Sequence, residues 1–159
     1  MRVALTCLVV ASACGGGGDS TGMATTGAPT APLAAVADGI VLDRRTGLEW
    51  TSRDDERALA WDEADRHCRA LERGERTGWR LPEIEELRAL YDVAAEQPCG
   101  TMRCRLDPAI RLEGPYVWSA TTRSPGTRFY FDFTSSTSLS PGIRPTLVRR
   151  VLCVRNPGG

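Results

Sequence analysis

The chain predicts an α+β fold in which two helices pack on a small, mainly antiparallel sheet stapled by disulfides. Three observations point there. Apolar residues recur at helical spacing through residues 60–71, and a second helix opens at Leu81-Pro82-Glu83. Residues 116–119 and 129–133 alternate with the period of two that a strand requires. Four of the six cysteines fall inside this folded stretch.

The first residues read as a leader. Met1-Arg2 is a short basic start, Val3 to Val10 an apolar run, and Ala11-Ser12-Ala13-Cys14 a small-residue cleavage site, so residues 1–13 are expected to be a signal peptide. The apolar run is far below the roughly 20 residues of a permanent membrane helix. A cysteine directly after small residues resembles the lipobox of bacterial lipoproteins, although Ala11 stands where those usually carry leucine. That resemblance implies a lipidated Cys14 as the new N-terminus and anchorage to a membrane of the bacterial envelope, outside the cytoplasm. The alternative is plain secretion, which leaves an exposed thiol at Cys14. Residues 14–38 are Gly, Ala, Thr and Pro with almost no charge, a composition expected to form a flexible tether reaching roughly 25–30 Å. Residues 39–156 remain, enough for one core and too few for two.

Within that domain, Ile40-Val41-Leu42 and Leu48-Glu49-Trp50-Thr51 read as a hairpin, with Gly47 free to adopt a positive φ in the turn. Asp54-Asp55-Glu56 lacks the alternating oxygen ligands of a calcium loop and is expected to be a solvated loop. In the first helix, Trp61, Ala64, Cys68 and Leu71 make one apolar stripe, which turns Cys68 inward. His67 beside it is the chain's only histidine, so no multi-histidine metal site or His-based triad can form. Gly74 and Gly78 separate the helices.

The second helix has Pro82 at its expected first position, with Glu83, Glu85 and Glu86 where the helix dipole favours negative charge. Leu81 has no side-chain oxygen with which to cap it, so another group must satisfy the first free N–H groups. Ile84, Leu87 and Leu90 form its inner face, and it should end near Asp92. Later, Tyr116 and Trp118 share one strand face, while Phe129, Phe131 and Phe133 alternate with Tyr130 and Asp132. Residues 151–154 are apolar on both faces, as in a strand covered on both sides. Trp50, Trp61, Trp79 and Trp118 are expected in the core.

With Cys7 removed and Cys14 lipidated, Cys68, Cys99, Cys104 and Cys153 form an even set in an oxidising compartment, open to three pairings. A four-cysteine zinc site is the competing use, but the paired short C-x-x-C spacing is missing. The 20 basic residues, all arginine, balance the 20 acids, and no nucleic-acid partner is expected. Residues 38–98 carry 16 acids and 10 arginines, net −6, whereas residues 99–159 carry 3 acids and 9 arginines, net +6. Such asymmetry serves either a ligand or the mutual attraction of two halves of one domain.

Gly78-Trp79-Arg80-Leu81-Pro82-Glu83-Ile84-Glu85-Glu86-Leu87, Tyr116-Val117-Trp118-Ser119-Ala120-Thr121-Thr122 and the closing Val151-Leu152-Cys153-Val154-Arg155 resemble the DUF1566 family. That family is also called the Lcl C-terminal domain, after a collagen-like bacterial adhesin, and is related to C-type-lectin-like folds. The resemblance implies a C-type-lectin-like domain and the long-range disulfide of that fold, which would join Cys68 to Cys153 and leave Cys99 with Cys104. Formylglycine-generating enzymes share only the Arg-Leu-Pro helix entrance and need a late reactive cysteine pair that this chain lacks. Calcium-dependent lectins use Glu-Pro-Asn, Gln-Pro-Asp and Trp-Asn-Asp signatures, none of which occurs here. The resemblance therefore implies a non-enzymatic recognition or adhesion module without cofactor or metal. Its ligand, by analogy with the adhesin, is a polyanionic polysaccharide of the envelope or exterior. Arg123, Arg128 and Arg144, with at most one of Arg149 and Arg150, are the candidate contacts, since guanidinium forks suit sulfate and phosphate groups. A structural envelope lipoprotein without a small ligand is the alternative.

Overall fold

The hairpin forms as its two extended runs and the glycine between them predict. Ile40–Asp43 (β2) and Leu48–Thr51 (β3) pair antiparallel with Val41 opposite Trp50, and Gly47 takes a φ of +74° in the turn. The computed structural model describes residues 31–54, 57–140 and 147–158, all within the unit Ala31–Gly159. Leu33–Ala37 (β1) pairs with β2, Ala34 opposite Leu42, and Leu33 is buried. The end of the 14–38 stretch is thus a sheet strand and not tether. One buried leucine and a ladder of backbone bonds outweigh a composition poor in large apolar groups.

Among the described residues, Trp61–Ala70 (α1) and Ile84–Leu90 (α2) are the two helices. The rest is short antiparallel strands. Gln97–Cys99 (β4) pairs with Met102–Cys104 (β5), and Tyr116–Trp118 (β6), Tyr130–Asp132 (β7) and Thr137–Leu139 (β8) form a three-stranded sheet in that order. Val154–Arg155 (β9) joins the edge of β3, giving a four-stranded sheet β1-β2-β3-β9. No helix among the described residues is long and apolar enough to cross a membrane.

Two buried clusters divide the core. One collects Ile84, Leu87 and Leu90 of α2 with Val117, Phe131 and Leu152; the other collects Ala64 and Cys68 of α1 with Trp118, Tyr130 and Cys153. Each of β6, β7 and the 151–154 segment sends successive side chains to different clusters, which explains why all three are apolar on both faces. Of the four tryptophans, Trp50, Trp79 and Trp118 are buried, whereas Trp61 is only half covered.

Two local expectations change. α2 begins at Ile84 with Glu83 as its N-cap, so Pro82 precedes the helix instead of opening it, and it ends at Leu90. Asp54 is 4% exposed: its Oδ2 accepts the Glu113 N–H at 2.8 Å, and Arg150 Nε stands 3.7 Å away, so it anchors one segment to another instead of facing solvent. Asp55 and Glu56 lie outside the described residues, as do Cys14, Arg144 and the signal segment.

Candidate functional site

The segment Trp118-Ser119-Ala120-Thr121 leaves β6 and meets the start of both helices. At α1, Trp118 Nε1 donates to the Leu59 carbonyl at 2.8 Å and Trp61 Nε1 to the Ser119 carbonyl at 2.7 Å. At α2, the Ala120 N–H donates to the Pro82 carbonyl at 2.8 Å, the Ile84 N–H donates to Thr121 Oγ1 at 2.9 Å, and the Thr121 hydroxyl donates to the Glu83 carboxylate. Thr121 is therefore the missing cap: a hydroxyl from 37 residues away satisfies an N–H that Leu81 could not.

Arg80 completes the α2 entrance. Its backbone exchanges two hydrogen bonds with Val154, at 2.9 and 3.0 Å, while its Nη1 and Nη2 grip the two oxygens of Glu86 at 2.8 and 2.7 Å. Glu86 Oε2 in turn accepts the Glu83 N–H at 2.7 Å, the return half of a capping box. The Glu86 carboxyl is held below its ordinary value. Burial alone would raise it, but the hydrogen bonds from Arg80, the Glu83 N–H and the Arg80 charge together prevail. Arg80 is raised by the same fork, against a smaller opposing effect of burial.

The cysteines pair as Cys68–Cys153 and Cys99–Cys104, with Cα atoms 5.5 and 5.8 Å apart. The first joins α1 to the segment running into β9; the second crosses the β4–β5 hairpin. With the four sulfurs bonded pairwise, none of them is left as a thiolate ligand for zinc. No group of three or more His, Cys, Asp or Glu able to hold a metal ion occurs among the described residues.

Each described candidate polyanion contact has a partner within the domain, and Arg144 lies outside the described residues. Arg123 lies over the Phe129 ring at 5.3 Å, whereas Arg128 stacks 3.8 Å above Trp61 and stands 3.9 Å from Asp62. Arg149 covers Tyr130 at 4.5 Å and Tyr116 at 5.2 Å, while Arg150 donates to the Glu113 carbonyl at 3.0 Å. Five ion pairs join an acid of residues 38–98 to an arginine of residues 99–159: Glu49 to Arg155, Asp54 to Arg150, Asp62 to Arg128, and Glu96 to both Arg103 and Arg105. Much of the charge asymmetry thus closes on itself. The most buried of these pairs is Glu49–Arg155 at 2.8 Å, and Arg76 also reaches Glu49, at 3.0 Å.

A different pair of arginines borders a cleft. Arg53, just after β3, and Arg73, just after α1, both line two hollows of about 230 and 390 Å³. The first hollow also meets Thr51, Asp54, His67 and the Cys153 end of the disulfide; the second meets Asp38, Gly39 and Ser52. Arg73 rests directly on Gly39, where an added Cβ would fall 2.7 Å from Nη1. Sequence reasoning passed over both arginines because they lie in the acidic half, and no spacing marks two residues twenty positions apart as neighbours across a loop and a helix.

Comparison with known proteins adds one finding. The family model described as the Lcl C-terminal domain matches residues 39–155. No curated protein and no solved structure matches the chain. The match spans most of the chain, including the helix entrance, the Trp118–Thr121 segment and both disulfides, and on that ground the chain belongs to the Lcl C-terminal domain family.

Proposed function

We propose that this protein is a non-enzymatic recognition or adhesion module of the bacterial cell envelope, held to a membrane by lipid on Cys14. The observation that carries this is the pair of disulfides, Cys68–Cys153 and Cys99–Cys104. Structural disulfides belong to oxidising compartments, in keeping with the signal peptide and lipobox-like site at the N-terminus. They also remove from chemistry the cysteines that a formylglycine-generating type of enzyme would need. The relation to C-type-lectin-like folds comes from the family resemblance and supports binding through surface loops on a stapled scaffold.

Intact-mass measurement and detergent partitioning of the protein from cell envelopes test this. A lipid-modified chain beginning at Cys14, in the detergent phase, is the expected outcome. A soluble product starting elsewhere, or a free Cys14 thiol, overturns the anchorage. A polyanionic polysaccharide is the partner proposed through Arg123, Arg128 and Arg144. It requires retention on dextran sulfate that weakens steeply with salt and drops when Arg123 and Arg128 become alanine. The five ion pairs between the two halves favour a second reading, a structural envelope protein whose arginines serve its own fold, and passage through that column at low salt selects it.

A further inference from the structure

We infer that the cleft bordered by Arg53 and Arg73 is a binding site for one compact oxyanion, of the kind a phosphate or sulfate monoester presents. This deepens the recognition reading by giving it a site in the acidic half of the chain.

Three features of the cleft carry the inference. First, Arg53 and Arg73 line both hollows, and no described ion pair engages either of them. Most other arginines of the domain are taken up by a carboxylate or an aromatic ring, Glu49 alone holding two of them. Second, the position of Arg73 is built in. Gly39 has φ +69° and no side chain, and the space its Cβ would fill is where Arg73 Nη1 lies. The turn after α1 is closed by reciprocal Arg73–Arg76 backbone bonds at 3.0 Å, and the Ser52 N–H donates to the Gly39 carbonyl at 2.9 Å, fixing the floor from which Arg53 projects. Third, the nearest buried acid is already engaged: Asp54 accepts the Glu113 N–H and faces Arg150.

A guanidinium fork offers parallel N–H donors to two oxygens of a tetrahedral anion, and two forks at one cleft can share a single phosphate or sulfate. Thr51 lines the smaller hollow and Ser52 the larger; hydroxyls are of the type that hydrogen-bonds the remaining oxygens, although that of Thr51 already accepts the Cys153 N–H at 3.2 Å. Hollows of about 230 and 390 Å³ suit one such group and the part of a ligand next to it. Asp38, exposed at the rim of the larger hollow, opposes anion entry and sets a ceiling on affinity.

The test is a titration of the full-length protein with inorganic phosphate, following the arginine Nε–Hε signals by NMR. Saturable shifts confined to Arg53 and Arg73 are expected. Arg53→Gln and Arg73→Gln should each weaken binding by about tenfold or more, Arg→Lys at either position by less, and Asp38→Asn should tighten it by about two- to threefold. Arg123→Ala with Arg128→Ala should leave phosphate binding unchanged, whatever it does to dextran sulfate retention, so this site and the polyanion partner fail separately. Methyl phosphate and vesicles containing phosphatidic acid then distinguish a soluble monoester from a lipid headgroup, and dependence on both arginines in either arm supports the site. Shifts spread over all exposed arginines without saturation overturn it. So does unchanged affinity in Gln variants whose melting temperatures match the parent.

Discussion

The two helices start against the same four residues but are held there by different chemistry. The entrance of α1 is fixed by two indole N–H groups, Trp118 to Leu59 and Trp61 to Ser119, and two turns on its Cys68 is bonded to Cys153. The entrance of α2 has no covalent tie to the strands. It relies on the Thr121 hydroxyl, the Ala120 N–H and the Arg80–Glu86 fork. Neutral hydrogen bonds, apolar packing and a cross-link hold α1, and they respond little to pH or salt. Bonds to charged side chains help to hold α2, and they respond to both.

The largest effect should come from the ring buried against α1. Trp118→Ala removes a buried ring, its edge contact with Tyr130 and the bond to Leu59, and should destabilise by about 3–5 kcal/mol in denaturant unfolding. A variant that melts like the parent would show that Trp118 does not anchor the α1 entrance.

Next is the covalent tie. Replacing Cys68 and Cys153 together by serine should lower stability by about 2–5 kcal/mol, because the bond closes a loop with sequence separation 85. Removing Cys99 and Cys104, separated by only 5, should lower it by about 2 kcal/mol or less. Non-reducing peptide mapping checks the pairing itself, and equal losses for the two pairs would contradict the loop-length account.

Thr121→Val is smaller still and acts on α2 alone. It leaves the Ile84 N–H without its acceptor and the Glu83 carboxylate without its donor, for an expected loss of about 1 kcal/mol. Hydrogen exchange should speed up at the start of α2 while α1 stays protected; faster exchange in both helices would mean that the entrances are not independent.

Acid sharpens the same contrast. The Glu86 carboxyl sits below its ordinary value of 4.5 in the folded protein, so its share of stability is present above that value and fades as pH falls through the lower folded one. Melting temperature should decline with acid below about pH 4.5, and Glu86→Gln should lower stability at neutral pH while flattening that decline. An unchanged acid profile in the variant would place the titrating group elsewhere.

The helical stripe through Cys68, the double-sided apolarity of residues 151–154 and the alternation around Phe131 were all legible in the chain, because each is a period set by local geometry and read out by burial. Cysteine parity was legible as well, but only the resemblance to a family selected one pairing out of three. β1 escaped notice since its alanines look like tether until β2 supplies a ladder, and Asp54 looked solvated until Glu113 and Arg150 came to meet it. The cap of α2 was visible only as a vacancy at Leu81.

By itself, then, the sequence determined two helices, a set of short strands, the inward face of each and the family to which they belong. All of these follow from neighbours within a few positions, or from motifs written out in order. Tertiary structure alone decided that Thr121 caps a helix 37 residues away, that arginines of the basic half turn to acids and rings of the same domain, and that Arg53 and Arg73 face one cleft. Those are encounters between distant segments, and their partners are chosen by how two cores pack on opposite faces of shared strands, which no local period encodes.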